Sequence, residues 1–535
     1  MNSLTKAKTF PLWLALATLL AMLYLATARG RGYIGFPLDD AWIHQTYARN
    51  LGLRGEFAFT PGAPSTGSTS PLWTLLLSVG YFLHIPYLVW TYGLGILSLA
   101  LSGFSMARLG QRLFPDKLWL GPIIGLTLVM EWHLIWASVS GMETILFVWL
   151  SILLLERHAA FSLQPSAFSG QLSAFNLGFI GGLLTLVRPE GVGLVGLIGL
   201  HIILTSLLRP PAHPLTRSPA HLLTRLIALG TGFLLPILPY LVFNYTITGL
   251  PLPNTFYAKQ QEYATLLVEL NFFQRWFRVF GVTLVGAQAL LLPGLLKALW
   301  TAVSGQPFGR LRTGGSAVSH HSQFTIHHLP FTILIVFWWA SYLTLYAIRL
   351  PVSYQHGRYE MPTIPWLLLL GIRGVTFLLR PNHQRLWVRV ISKVWLVSLT
   401  ASLFIFIALG AQSYANDIEF IETEMVKTAH WLRQNTDADT IIAAHDIGAI
   451  GYFTERPLVD LAGLITPQVI PFMRDEVALL TFAKQQQASY LATFPSWYPE
   501  ISASLFQVYS TNSSWAIEAG YDNMSVYRLE ERETR

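Results

Sequence analysis

Apolar runs close to the length of a membrane-spanning helix recur through most of this chain of 535 residues. The first, at 10–28, is FPLWLALATLLAMLYLATA. About 20 apolar residues in an α-helix suffice to cross the hydrocarbon layer of a bilayer. Because 53% of the residues are hydrophobic and only 12% are charged, a soluble fold could not keep so much apolar surface from water. The chain is therefore predicted to be a polytopic α-helical membrane protein.

The apolar runs and the basic residues between them predict the number and orientation of the helices. About eleven transmembrane helices are expected by the hydropathy criterion, and the first is uncleaved because no small-x-small cleavage site follows it. Counting 72–108 as one crossing, despite Pro86, puts the arginines of alternate loops on one side, as the positive-inside rule requires. The N-terminus is then cytoplasmic and the C-terminus extracytoplasmic. The remaining runs lie at 118–137, 142–157, 174–187, 191–208, 223–246, 278–299, 324–348, 360–379 and 391–411, and the inner loops carry Arg108, Arg112, Arg157, Arg209, Arg217, Arg310, Arg312, Arg380 and Arg385.

The chain changes character after residue 411. Ordinary charge density returns, an amphipathic helix is indicated by Ile418, Ile421, Met425 and Leu432, and short β-rich runs follow in TIIAAH and SYLATF. We therefore predict a transmembrane module at 1–411 and a small extracytoplasmic α/β domain at 412–535. The chain has no cysteine, which excludes disulfides and thiolate metal sites.

Under this topology the residues with reactive potential gather on the extracytoplasmic side. The first outer loop, 29–71, contains FPLDDAWIHQTYARN with Asp39, Asp40 and His44. The net charge of +7 is assigned to the basic inner loops, so no nucleic-acid partner is predicted. Cations near membrane depth usually have an anionic partner, which favours one shared site. The other outer motifs are SGMET (140–144), RPEG (188–191), LPNTFYAK (252–259) and SYQHGRYEMPTIP (353–365).

Each motif also has a structural interpretation. Asp39 could cap its own helix, with Asp40 favourable to the helix dipole, but a cap explains only one of the two carboxylates. The segment TPGAPSTGSTSP (60–71) could be a flexible loop or a lid. For the remaining candidates the structural alternatives are a capping box of Ser140 with Glu143, pairing of Arg188 with Glu143 or Glu190, snorkelling of Lys259 and Arg358, and a hydrogen-bonded neighbour role for His44.

In their order and sidedness these motifs resemble the polytopic glycosyltransferases of the GT-C fold, which take a sugar from a polyprenyl-phosphate donor at the outer membrane face. The likeness is greatest to the mycobacterial-type terminal arabinofuranosyltransferase branch. It is carried by DDAWIHQTYARNL, SPLWTLLL and the four motifs above, and HDIGAIGYFTERPLVDLAGLITP (445–467) resembles the outer domain of such enzymes. One departure is STGSTS before PLWT, where the family has an acidic-aromatic element. That departure bears on which sugar is bound.

The resemblance implies a plasma-membrane enzyme that transfers the sugar, with inversion, to a glycan, lipid or protein acceptor of the cell envelope. Such transfer needs a base for the acceptor hydroxyl and cations for the departing phosphate. Asp39 or Asp40 is the predicted base, and Lys259 and Arg358, with Arg188 in reserve, are predicted to hold the phosphate. No cofactor is required, although the Asp pair leaves a divalent cation open. The predicted substrate-binding residues are His44, Glu143, Arg188, Glu190, Asn254, Lys259, His356 and Arg358.

Two other classes of function stay open at this stage. A transporter or flippase for lipid-linked sugars would also place charges at membrane depth, but it would often show matching halves, and the sequence has no internal symmetry. The C-terminal domain could also be a binding module on an inert membrane anchor. That interpretation leaves RPEG and LPNTFYAK, which lie outside the domain, without a role.

Overall fold

The structure is a computed structural model that describes residues 7–162, 167–208, 219–304 and 321–529. Helices dominate the part that carries the apolar runs, and a sheet forms near the C-terminus. The predicted inner-loop residues Arg209, Arg217, Arg310 and Arg312 lie outside the described residues. The helices before the sheet are α1 Phe10–Gly30, α2 Asp39–Arg54, α3 Pro71–Phe82, α4 Tyr87–Leu113, α5 Leu120–Val129, α6 Trp132–Ser138, α7 Thr144–Ser162, α8 Ala167–Val187, α9 Gly191–Leu208, α10 Pro219–Thr248, α11 Asn254–Glu262, α12 Ala264–Glu269, α13 Phe272–Val282, α14 Leu292–Ser304, α15 His321–Arg349, the short turn α16 Tyr354–Gly357, α17 Ile364–Leu378 and α18 Leu386–Phe420.

Seven helices of the described residues are long and apolar enough to cross a membrane. The count reaches nine if each of two bent pairs is one span. One pair is α5 with α6, bent by 58°, and the other is α13 with 287–301, bent by 110°. The predicted segments 174–187 and 191–208 form the apolar helices α8 and α9, whose described apolar parts are shorter.

The segment 72–108 is divided at Pro86 into α3 and α4. Helix α3 has 12 residues, so it is about 18 Å long at 1.5 Å per residue, which is well short of the hydrocarbon thickness. Helix α4 has 27 residues and is a candidate span by itself. The division is therefore compatible with the single crossing that the charge pattern favours.

Small residues let the membrane helices α4 and α5 approach closely. A Cβ added to Gly110 of α4 would lie 2.8 Å from the Cα of Gly121 in α5. A Cβ on Gly121 would lie 2.3 Å from the carbonyl oxygen of Ala107. Close backbone approach through small residues is the usual packing mode of helices in lipid, where no hydrophobic effect drives their association.

The C-terminal region, residues 412–529, contains a five-stranded sheet in the order β4-β3-β5-β7-β6. Strands β3 and β5 fall in the two predicted β-rich runs. Strand β3 pairs in parallel with both β4 and β5, whereas β7 is antiparallel to β5 and to β6. The strands of this sheet are β3 Ile442–Ala444, β4 Leu458–Asp460, β5 Tyr490–Thr493, β6 Phe506–Ser510 and β7 Ser525–Arg528. The helices of the region are α19 Lys427–Asn435, α20 Gly448–Thr454, α21 Glu476–Gln485, α22 Pro499–Ser504 and α23 Ser514–Glu518. A separate hairpin earlier in the chain consists of β1 Ala58–Thr60 and β2 Ala63–Pro64.

The predicted amphipathic helix joins the two parts of the molecule. Helix α18 continues through a π-helical segment, Ile421–Val426, into α19. The four apolar residues that indicated its inner face are all buried. The predicted division at 411/412 falls within this continuous helical segment, and the division itself stays a prediction.

Candidate active site

A cavity of about 1540 Å³ lies between the membrane helices and the C-terminal region. Both parts of the molecule supply its walls, so it is formed only when they are packed together. Five of the predicted site residues line it, namely Asp39, Asp40, Lys259, His356 and Arg358. The other five, His44, Glu143, Arg188, Glu190 and Asn254, are not among the residues that line it.

The first turn of α2 places Asp40 against two cations. The Arg358 guanidinium donates a hydrogen bond to Asp40 Oδ2, and Lys259 Nζ lies 3.6 Å from the same oxygen. Both cations also donate to the hydroxyl of Tyr359, at 2.7 Å from Lys259 Nζ and 2.9 Å from Arg358 Nη2. The structure therefore brings together a predicted base and the two predicted phosphate ligands, although each cation is more than 200 residues from Asp40 along the chain.

This cluster has unused donors and excess positive charge. Arg358 is 4% exposed, and its Nε and Nη1 are buried without a hydrogen-bond partner among the described residues. Two cations share the single carboxylate of Asp40. Buried charged donors are costly unless an acceptor pairs with them. The arrangement therefore favours a second anion beside Arg358 and Lys259.

Asp39 faces another part of the molecule. Its Oδ2 accepts a hydrogen bond from the backbone N–H of Gly448, and its Oδ1 accepts one from Ala449, each at 2.7 Å. These amides begin α20 of the C-terminal region. Asp39 makes no side-chain cap for its own helix, whose N-cap residue is Leu38, so that interpretation is wrong. Burial raises the pKa of Asp39 to about 7, and the two backbone hydrogen bonds oppose the rise.

The close approach of Asp39 requires a glycine at position 448. A Cβ added there would lie 2.0 Å from the Asp39 carbonyl oxygen and 2.6 Å from Oδ2. No side chain fits at those distances, because real Cβ contacts are longer. Asp39 is therefore a contact between α2 and the C-terminal region, and the two adjacent carboxylates have different partners, while the predicted catalytic role of either stays a prediction.

His44 and Glu143 form a pair behind Asp40. His44 Nε2 lies 3.4 Å from Glu143 Oε2, and both side chains are buried. The expected capping box does not form, since the Ser140 hydroxyl accepts from the backbone of Met142 at 3.2 Å. Both residues of the pair thus support the wall from which Asp40 projects.

Arg188 is paired with carboxylates, as its structural interpretation proposed. Its Nε lies 3.9 Å from Glu143 Oε1, and its Nη2 lies 3.7 Å from Glu190 Oε1. It also donates to the hydroxyl of Tyr346 at 2.8 Å and to the carbonyl oxygen of Arg358 at 3.4 Å. Through that last contact Arg188 holds the backbone of a cavity residue without lining the cavity itself.

The second half of the segment predicted as a flexible loop or a lid (60–71) is packed against α11, whereas residues 61–64 are exposed. Thr66 and Ser68 are at most 1% exposed. The carbonyl oxygen of Thr66 accepts from the backbone N–H of Asn254 at 3.1 Å, and that of Gly67 accepts from the Thr255 hydroxyl at 2.5 Å. The loop therefore fixes the start of the helix that carries Lys259, and Asn254 acts there through its backbone.

Sequence reasoning did not single out three residues of the site, of which Asp417 and Asp446 line the cavity and Tyr359 lies behind Lys259 and Arg358. Tyr359 bridges the two cations, as described above. Asp417 accepts from Trp136 Nε1 at 2.8 Å and lies 2.7 Å from His356 Nε2. Asp446 follows directly after β3. Its position could have been found from sequence, because residues at the carboxyl ends of parallel strands commonly form ligand sites.

The carboxylates of the site do not converge on a common point. Among the described residues, no group of three or more His, Asp or Glu is arranged to hold a metal ion. The oxygens of Asp39 are taken by backbone amides and Asp40 faces cations, so the pair does not present a joint oxygen site. A divalent cation stays a prediction that no observation tests.

Comparison with known proteins gives one match to a family model and several matches to solved structures. A domain of unknown function (DUF8728) matches residues 409–529. None of the curated proteins matches the sequence. The structure of ArnT from Cupriavidus metallidurans bound to undecaprenyl phosphate is similar with a TM-score of 0.60 and 15% identity, covering 97% of this chain and 98% of that chain.

Two other structures cover most of this chain. The archaeal oligosaccharyltransferase AglB from Archaeoglobus fulgidus, in complex with an inhibitory peptide and a dolichol-phosphate, gives a TM-score of 0.54 and 11% identity over 90% of this chain and 69% of that chain. Arabinofuranosyltransferase AftD from Mycobacteria gives a TM-score of 0.47 and 14% identity over 98% of this chain and 42% of that chain. The last score is too low to carry an argument about the arabinofuranosyltransferase branch.

ArnT and AglB have the GT-C fold. The likeness to them confirms the predicted fold class: this chain is a multi-pass helical membrane protein of GT-C type with a small C-terminal sheet region.

Proposed function

We propose that the protein is a membrane glycosyltransferase that moves a sugar from a polyprenyl-phosphate donor to an acceptor on the extracytoplasmic side. The observation that carries this proposal is the cluster of Asp40, Lys259 and Arg358 in the wall of one large cavity. A base and two cations in one place are what glycosyl transfer from a lipid phosphate requires. The likeness to ArnT with bound undecaprenyl phosphate and to AglB with bound dolichol-phosphate supports the same reaction class.

The donor phosphate would bind beside Arg358 and Lys259. Within the described ranges, two buried donors of Arg358 have no partner, and guanidinium groups bind phosphate with short, charge-assisted hydrogen bonds. Lys259 supplies a second positive charge, and Tyr359 holds both cations at a common hydroxyl. The phosphate would thus compete with Asp40 for the same cations.

That competition would prepare Asp40 to act as the base. Burial by itself would raise the pKa of Asp40, but Arg358 and Lys259 outweigh it and hold the pKa well below its usual range. A carboxylate so strongly paired is a weak base. When the phosphate draws the cations away, the pKa of Asp40 rises toward a value at which it accepts a proton. Donor binding and activation of the acceptor are therefore coupled through one ion-pair cluster.

The chemical step is a single displacement. The acceptor hydroxyl oxygen forms a bond to the anomeric carbon while the bond from that carbon to the phosphate oxygen breaks. The hydroxyl proton goes to Asp40, and the electron pair of the broken bond leaves with the polyprenyl phosphate, whose charge Arg358 and Lys259 stabilise. The configuration at the anomeric carbon is inverted. No step is assigned to a metal ion.

The test measures donor binding and transfer separately, with the full chain in lipid nanodiscs. Undecaprenyl phosphate is the binding probe, and release of polyprenyl phosphate from a panel of polyprenyl-phosphate sugars reports transfer. Arg358→Gln and Lys259→Met should each weaken binding about tenfold, as expected for loss of one charge-assisted contact. Lys484→Met, which removes an exposed cation of α21, is the matched control and should change binding less than twofold.

Asp40→Asn tests the base apart from the phosphate site. This variant should bind undecaprenyl phosphate at least as well as the unchanged chain, because a competing carboxylate is removed, yet lose transfer by about 100-fold or more. Equal binding by Arg358→Gln, Lys259→Met and the control would refute the phosphate site. Full transfer by Asp40→Asn would refute Asp40 as the base, whereas an unchanged chain that binds undecaprenyl phosphate but releases no polyprenyl phosphate from any donor would refute the transferase and favour lipid transport.

A further inference from the structure

One wall of the cavity comes from the C-terminal region, and the proposed transfer assigns it no role. In its sheet, β3 lies between its two parallel partners. The chain leaves β3 toward β4 on one side and returns past β3 to β5 on the other. In open α/β sheets a crevice for ligands forms outside the carboxyl ends of two neighbouring strands where the connections diverge in this way. Here that point is between β3 and β5.

The residues at this point all face the cavity. His445 and Asp446 follow the carboxyl end of β3, and Trp497 and Tyr498 lie shortly after the end of β5. We name these four residues the sheet crevice. All four line the large cavity that also contains Asp40. The general rule for such sheets and the observed cavity therefore indicate the same place independently.

The crevice offers an aromatic surface beside ordered polar groups. Trp497 is 45% exposed although its ring packs against His445, with centroids 4.8 Å apart, and against Phe494 at 5.1 Å. The His445 ring lies between the Tyr498 hydroxyl, 2.7 Å from Nδ1, and Glu262 Oε1, 3.9 Å from Nε2. An open aromatic face with a few fixed polar groups is the usual composition of a small-molecule site.

Asp446 is the unused polar group of the crevice. The described residues offer its carboxyl no hydrogen bond or ion pair. Burial raises the pKa of Asp446 well above its usual range, and the neighbouring carboxylates Asp39, Asp40 and Glu262 raise it further. The shift favours the neutral form of the carboxyl, which can donate one hydrogen bond and accept others. That capacity suits a hydroxyl group, which is itself both donor and acceptor.

The charge of the crevice favours a neutral ligand over an anionic one. The backbone amides of Gly448 and Ala449, which would otherwise face an anion at this edge of the sheet, are already bonded to Asp39. Glu262 contributes an acidic group, and Arg474, a cation that lines the cavity beside it, donates to the backbone carbonyl oxygen of Glu262. A hydroxyl-rich neutral molecule fits this combination better than a phosphate or an acidic glycan.

We propose that the sheet crevice binds a neutral saccharide, which is the acceptor of the transferred sugar, with one sugar face against Trp497 and hydroxyl groups bonded to His445 and Asp446. Naming this saccharide the acceptor rests on the proposed function, because a hydroxyl held here would enter the cavity that contains Asp40. The acceptor class is then a glycan rather than a peptide. The binding itself does not depend on catalysis.

The test uses the full chain in nanodiscs and defined probes. Neutral tetrasaccharides of arabinose, mannose, galactose and glucose are tested by saturation-transfer difference NMR, with tetragalacturonate as the anionic counterpart. At least one neutral probe should bind, and Trp497→Ala should weaken that binding about tenfold, as loss of an aromatic contact does in other sites. Phe506→Ala removes a ring that is 61% exposed on the outer strand β6 and should leave binding unchanged.

The outcomes separate this inference from the proposed function. Undecaprenyl phosphate binding is measured on the same samples and should be unaffected by Trp497→Ala. If undecaprenyl phosphate binds but no neutral probe does, or if Trp497→Ala and Phe506→Ala bind alike, the crevice proposal is overturned and the transferase stands. If a neutral probe binds through Trp497 but undecaprenyl phosphate does not bind, the saccharide site stands and the transferase falls. Preference for tetragalacturonate would overturn the charge argument.

Discussion

Replacement of Asp39 by alanine should loosen the contact between α2 and the C-terminal region while leaving the cation cluster intact. The Asp39 carboxylate accepts two backbone hydrogen bonds, from Gly448 and Ala449, at 2.7 Å each. Both amides lie in a buried part of the chain. With the carboxylate removed, two buried N–H groups lose the acceptor that they have in this structure.

The magnitude follows from the kind of bond that is lost. A hydrogen bond to a charged group contributes about 1.5–3 kcal/mol. Because the pKa of Asp39 is about 7, this magnitude applies above that pH, where the carboxyl is ionised and where exchange is measured. Each amide should therefore exchange with solvent roughly 10- to 100-fold faster in the Asp39→Ala protein, since about 1.4 kcal/mol corresponds to a factor of ten. The effect should be confined to the start of α20, because the rest of that helix keeps its own hydrogen bonds.

Hydrogen exchange measured by mass spectrometry on peptides that cover Gly448–Thr454 provides the assay. Asp40→Asn is the matched control, because it changes the adjacent carboxylate, which bonds to Arg358 and not to α20. The control should leave exchange at these amides within about twofold of the unchanged chain. Equal exchange in Asp39→Ala and in the control would refute the structural role of Asp39 and return it to the list of candidate bases.

Three other predictions concern pH, metal and topology. Burial alone would raise the pKa of Asp40, and Arg358 and Lys259 hold it low, so Arg358→Gln should raise this pKa. The acidic limb of kcat/KM should then move to higher pH by about one unit or more. An unmoved limb would exclude Asp40 as the titrating base. Transfer should persist in excess EDTA, and loss that added Mg²⁺ or Mn²⁺ restores would contradict the metal-free step. Because the chain has no cysteine, single cysteine replacements can be labelled without background. A membrane-impermeant maleimide should label Lys484→Cys from outside intact cells, but should label Arg385→Cys only after permeabilisation. The reverse labelling pattern would invert the predicted topology.

The fold was largely predictable because its causes are local in sequence. Apolar runs of spanning length specify membrane helices without reference to the rest of the chain. The two β-rich runs likewise predicted β3 and β5. Bends were harder to predict, since 118–137 reads as one apolar segment, yet its helix is bent by 58° between α5 and α6. At the break, Glu131 caps the start of α6 by accepting from the backbone N–H of Leu134, and hydropathy does not record such a cap.

The separate roles of Asp39 and Asp40 could not be predicted from sequence. Successive residues of an α-helix point about 100° apart, so neighbouring carboxylates need not share a partner. Which direction each takes depends on Gly448 and Arg358, which are 409 and 318 residues distant along the chain. The meeting of Asp40 with Lys259 and Arg358 was predictable in outline, because cations at membrane depth need an anion and all three residues were assigned to one face of the membrane.

The placement of both carboxylates on the first turn of α2 couples assembly of the molecule to its chemistry. Asp39 fixes that turn to α20, so the C-terminal region must be docked for the turn to hold its position. Asp40 then projects toward Lys259 and Arg358 from a turn whose direction is already set. A chain with a displaced C-terminal region would lose the orientation of its base and one wall of its cavity together, which would leave the lipid-linked sugar without a competent site to react in. On this argument Asp39→Ala should lower transfer through misplacement of Asp40, and it should do so without weakening the binding of undecaprenyl phosphate to Arg358 and Lys259.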